Sequence, residues 1–135
     1  MPFSARWYIK NEIIYTRYWG VTTAEDLRNC LRQTKAFMDE SPRSIVHVIC
    51  DVGDVAVPIP FKDTMRVVRE EGPHEKAGWT VNIRERSTLV KMGSALGSSI
   101  FKLRFRAFST LEQATAHLKF FDSAISWDKI EKSAA

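Results

Sequence analysis

Two carboxylates, Asp51 and Asp54, stand at the end of the most apolar β-type run in the chain, Ser44-Ile45-Val46-His47-Val48-Ile49-Cys50-Asp51. A carboxylate pair in a loop can hold a hard cation or work as acid and base. Without a third ligand it makes a poor all-protein metal site. The plainer reading has Asp51 capping a turn, Asp54 in solvent and Gly53 supplying a positive φ. Both readings put the pair at the carboxyl end of a strand, where open α/β sheets meet ligands and partners.

The stretch Arg84-Glu85-Arg86-Ser87-Thr88 joins a strand to a helix. Helix N-termini attract anions, and Arg84, Arg86 and Ser87 make this junction a candidate anion site. The two arginines share a side if the strand continues through them; otherwise they are a surface pair with Glu85 as neighbour. The three histidines, His47, His74 and His117, have no partner at metal-ligand spacing, and His47 reads as a satisfied core histidine. Cys30 and Cys50 lie in apolar surroundings and read as buried free thiols. No phosphate-binding loop, dinucleotide fingerprint, GxSxG, HExxH or CxxC is present. A catalytic set with named members does not emerge, and no cofactor or metal is expected.

The residues after Asp51 carry a different signal. Val55-Ala56-Val57-Pro58-Ile59-Pro60 is apolar, and the expected strand stops at Asp51, so 52–60 reads as a loop. Either alternate residues tuck onto the core or the loop forms an exposed apolar lip for a partner. The two prolines stiffen it and lower the cost of ordering it on binding.

The rest of the chain must position these groups. Arg6–Lys10 and Ile13–Trp19 form a hairpin through Asn11-Glu12, with Trp7, Ile9, Ile13, Tyr15 and Trp19 on one buried face. Gly20 closes the strand. Thr22 and Glu25 have capping-box spacing, and Leu27, Cys30, Leu31, Thr34, Phe37 and Met38 mark one face of a helix that Ser41-Pro42 stops. Pro60 opens a second helix, with Phe61, Met65 and Val68 inward, ended by Gly72-Pro73. Trp79, Val81 and Ile83 alternate as a strand. Ser87 or Thr88 caps a small-faced helix through Ile100. Leu103, Phe105 and Ala107 alternate with Lys102, Arg104 and Arg106 as an edge strand. Ser109 or Thr110 caps the last helix, with Leu111, Ala114, Leu118 and Phe121 inward. Ile125, Trp127 and Ile130 suggest a docked tail.

The result is one α/β domain over 1–122, of order β-β-α-β-α-β-α-β-α with a mostly parallel mixed sheet, followed by a tail over 123–135. A chain of 135 residues is large enough for a true core. No apolar run approaches the roughly 20 residues of a membrane span, and no signal-peptide pattern opens the chain. The net charge of +4 is concentrated: residues 84–119 carry seven basic and two acidic side chains. The basic residues are not interleaved with aromatics as on an RNA-stacking sheet, so no nucleic acid is expected as partner.

The element order, Gly20-Val21-Thr22-Thr23-Ala24-Glu25-Asp26, Ile49-Cys50-Asp51 and Phe108-Ser109-Thr110-Leu111-Glu112-Gln113-Ala114 together resemble the STAS-like, anti-sigma-factor-antagonist-like domains, among them uncharacterised bacterial proteins of that kind. The resemblance covers most of residues 5–121 and implies a protein-binding regulatory domain; the buried free thiols and the missing catalytic set make the expectation a cytoplasmic, non-enzymatic one. In the phosphoregulated antagonists a phosphorylatable serine follows the third strand. Here Asp51 to Phe61 contains no Ser, Thr or Tyr, and Thr64 is the first hydroxyl. The switch is therefore not carried over. The expectation is a contact surface for a protein partner or a second copy (a homodimer), built on Asp51, Asp54, Val57, Ile59 and Phe61. The alternatives are a carrier of a small apolar ligand or lipid on a related α/β scaffold, and an enzyme using Asp51 or Asp54.

Overall fold

The computed structural model describes residues 2–85 and 104–131. The expected helix over 87–100, Arg86, Ser87 and the first part of the last strand lie outside the described residues. Five strands, β1 (Phe3–Ile9), β2 (Ile13–Val21), β3 (Val46–Val57), β4 (Ala77–Ile83) and β5 (Phe105–Ala107), form one sheet in sequential order. Only β1–β2 is antiparallel; the other three pairings are parallel. Three helices are seen among the described residues: α1 (Ala24–Glu40), α2 (Phe61–Glu71) and α3 (Leu111–Phe121). A short 3₁₀ turn, Trp127–Lys129, follows. This is the α/β class expected, and the elements among the described residues follow the expected order.

The side-chain period of two on each strand sorts residues onto two faces. Ile14, Val46 and Val48 pack with Met38 of α1, and Tyr18 and Cys50 pack with Cys30 one helical turn or more away. Ile13, Tyr15, Ile49, Val81 and Ile83 face the other way, onto Ala114 and Leu118 of α3 and Ile125 of the tail. α2 lies beside α1, joined by Arg28 and Arg32 to Glu71 at 2.7 and 3.0 Å. The central strand β3 is thus covered on both faces, as its unbroken apolar run requires. Cys30 and Cys50 are free and buried.

Several local expectations are corrected. The register of β1 slips between Trp7 and Ile9, a bulge that turns Trp7 away from Ile9. Trp7 therefore packs on the α1 side, edge-on to Phe37 at 5.2 Å, while Tyr8 and Ile9 both join the α3-side core. The cap of α1 is Thr23 with Asp26, one residue later than Thr22 with Glu25. Thr22 is instead tied to the sheet, its hydroxyl donating to the Val57 carbonyl at 3.0 Å. Pro60 is the N-cap of α2 and not its first helical residue. Val67, not Phe61, is the enclosed residue of that helix, and Phe61 is exposed. Phe121 is likewise half exposed, though its ring lies 4.9 Å from that of Trp79. The capping box Thr110–Gln113 of α3 falls where expected.

Candidate functional site

The largest correction concerns the exit from Asp51. The segment 52–60 is not a free loop: β3 continues to Val57, alongside the extended end of β2. Trp19 pairs with Asp54, Gly20 with Val55 and Val21 with Val57. Val52 and Val55 tuck against the core cluster of Phe3, Tyr18, Cys30 and Cys50. Only residues 58–60 connect the strand to α2. The prolines therefore end a strand rather than stiffen a long loop.

The strand extension draws five polar side chains together. Asp51 is 7% exposed. Its Oδ1 accepts the Gly53 backbone N–H at 2.9 Å and Arg84 Nε at 2.8 Å, and its Oδ2 accepts the Tyr15 hydroxyl at 3.0 Å. Asp54 lies further out. Its Oδ2 accepts Arg17 Nη2 at 2.7 Å and Arg84 Nη2 at 2.9 Å. Tyr15 and Arg17 come from β2, the aspartates from β3 and Arg84 from the end of β4, so the cluster cross-links three adjacent strands.

The local backbone explains the arrangement. β4 ends at Ile83, and Arg84 takes a left-handed φ of 57°, unusual for a residue with a side chain. The turn swings its guanidinium back over Gly53. A Cβ at position 53 would run into Nε and Cζ of Arg84. Gly53 is thus needed for close approach, not for the positive φ expected of it, which it does not have. The strand does not continue through Arg84, so the condition for Arg84 and Arg86 sharing a side is not met.

The electrostatics follow from these contacts. Hydrogen bonds from Arg17 and then Arg84 hold the Asp54 carboxyl below its ordinary range. Asp51 and then Asp54 raise Arg84 above the usual guanidinium value. The Tyr15 phenol is pushed up to about 12, first by burial and then by the Asp51 charge. Arg17 also lies 5.0 Å over the Trp19 ring. Every carboxylate oxygen named here already faces a donor. Two of Arg84's nitrogens are committed to carboxylates, which leaves less of it for an anion than the sequence suggested.

Beside this polar cross-link the carboxyl edge is apolar and open. Val21 is 62% exposed, Val57 51% and Phe61 50%. Val21 and Val57 are register partners, and Phe61 begins the helix four residues beyond Val57. Ile59 is only partly exposed. Of the residues at this edge, Asp51, Asp54, Val57, Phe61 and Arg84 are singled out by the sequence, whereas the contacts of Tyr15 and Arg17 and the exposure of Val21 are not anticipated. The alternation of β2 puts Tyr15 and Arg17 on one face; that β2 is the neighbour of β3 is a non-local fact.

His47 is buried and satisfied at both ring nitrogens, as expected of a core histidine. Among the described residues, no three His, Cys, Asp or Glu side chains converge as metal ligands. No helix among them is long and apolar enough to cross a membrane. No family model matches this chain, and no curated protein matches it.

Proposed function

We propose that this chain is a STAS-like, non-enzymatic regulatory domain that binds a protein at the carboxyl edge of β2 and β3. The observation that carries the reading is the exposure of the apolar side chains Val21, Val57 and Phe61, set at the end of a strand pair that the Asp51–Arg84–Asp54–Arg17 contacts tie together. Apolar side chains scattered singly on a surface need no explanation, but two register partners and the helix start beside them form a patch. A pre-ordered patch loses little entropy when covered. The charged groups next to it are paired among themselves, so they orient a partner more than they attract one.

The mostly parallel sheet, the capped helices and the strand order support the STAS-like part of the reading. The stretch from Asp51 to Phe61 has no hydroxyl, so the edge is a fixed contact surface and not a phosphorylation switch. The partner is another protein or a second copy of the chain.

A Val57→Asp/Phe61→Asp double variant tests the surface. Both side chains are exposed, so the fold is expected to survive, with unfolding free energy within about 1 kcal/mol of the parent. Sedimentation of the purified chain and association with its cellular partner are the readouts. Loss of whichever complex the parent forms is expected; an unchanged complex would exclude this edge.

A further inference from the structure

A second polar network lies at the opposite end of β3, and it ties the C-terminal segment to the sheet. His47 is 2% exposed. Its Nδ1 accepts the backbone N–H of Trp79 at 2.9 Å, so the ring proton is on Nε2, which donates to Asp122 Oδ2 at 2.8 Å. A Cβ at Gly78 would meet the imidazole at Nδ1 and Cε1, so the missing side chain there makes room for the ring. Asp122 caps the end of α3, accepts Arg43 Nη2 at 3.1 Å and accepts the Ala124 N–H at 3.0 Å. Arg43 in turn lies 3.5 Å from Glu12, whose carboxylate accepts the Ser126 N–H at 2.7 Å. The Tyr8 carbonyl accepts the Glu131 N–H, also at 2.7 Å. Asp122 to Glu131 is thus fastened to the sheet at three points, with Ile125 buried between them.

We propose that His47 is an acid-released latch: protonation of Nδ1 replaces the acceptor of the Trp79 amide by a second donor, expels the ring from beside Gly78 and frees segment 122–131 from the sheet. The geometry forces the conflict, because two N–H groups cannot face each other at hydrogen-bond distance. Among the described residues, the charged and titratable groups facing the ring are His117 of α3 and Asp122 at its cap, Arg43 ahead of β3 and Arg104 ahead of β5, with Glu12 beyond Arg43. Burial lowers the His47 pKa below its ordinary value, and Asp122 opposes that shift without overcoming it. The folded state therefore prefers the neutral ring. The latch is fully closed above about pH 6.5, the value of a free histidine, and weakens as pH falls below it toward the depressed folded value.

The test is amide hydrogen exchange at Ser126 and Glu131, corrected for intrinsic rates, between pH 7.5 and 4.5. In the parent chain opening rises below pH 6.5 by up to about tenfold per pH unit, the slope for uptake of one proton. His47→Gln cannot titrate in this range, and its amide can still donate to Asp122, so its profile is flat. A flat parent profile, or the same slope in His47→Gln, overturns the latch and points to carboxylates. If His47→Gln does not fold, the ring nitrogens of His47 are followed by NMR in the parent. Their titration midpoint must coincide with that of the Ser126 and Glu131 amides, and a separate midpoint overturns the proposal.

Discussion

Ile49→Ala is expected to lower the unfolding free energy by about 3–4 kcal/mol, the largest effect of any single truncation in the central strand. Ile49 has no exposed surface and lies mid-strand, with β2 and β4 on either side. Its side chain is enclosed by a cluster that includes Tyr15, Val81, Ala114 and Leu118. Removing three carbon atoms there costs transfer free energy and leaves a void that sheet and helix close only in part. A domain of this size is typically stable by about 5–15 kcal/mol, so the variant sits near the edge of folding. Urea unfolding followed by tryptophan fluorescence measures the loss. A change below about 1 kcal/mol would mean that Ile49 is not enclosed as described.

Asp51→Ala is expected to cost about 2–3 kcal/mol, and Asp54→Ala distinctly less. The two carboxylates share Arg84 and differ in burial. Asp51 is enclosed, and its removal strands the buried Tyr15 hydroxyl and the Gly53 N–H as well as one face of the guanidinium. Arg84 and Asp54 are 40% and 43% exposed, so water replaces much of what each loses. Losing Asp51 also relaxes the backbone restraint on Arg84 at its left-handed φ. A second readout is independent of stability. Burial and Asp51 together hold Tyr15 at about 12, so its ultraviolet titration should move down in Asp51→Ala while staying above the free tyrosine value. Equal costs for the two aspartates would contradict the division into a buried anchor and an exposed strap.

The sequence exposed most of the framework and little of the site's wiring, for physical reasons. Caps and periods are local: Thr110 with Gln113 bounds α3 correctly, and Ala114 and Leu118 are buried as their spacing implies. The length of β3 is not local. Gly53-Asp54 and two prolines look like a loop, yet the strand runs on because β2 reaches Val21 and offers its backbone to Val57. The bulge at Tyr8 is similarly silent in the run Arg6-Trp7-Tyr8-Ile9, and it reverses Trp7. Asp51 and Asp54 were legible as chemistry-bearing residues, but their partners Tyr15, Arg17 and Arg84 arrive from neighbouring strands that no spacing rule connects. The effect of that wiring is to neutralise the carboxylates. It shifts attention from reaction chemistry at the pair to the exposed apolar side chains beside it.

Site-specific photocrosslinking tests that surface most directly. A benzophenone amino acid placed at Val57 in the full chain, with a second chain labelled at the exposed Arg106 as control, is irradiated in cells that produce the protein. One discrete adduct is expected from position 57, a defined partner or a second copy of the chain, absent from the control and lost on Phe61→Asp. No adduct at position 57, or the same adducts from both positions, would contradict the claim that the carboxyl edge of β2 and β3 is a protein-binding surface.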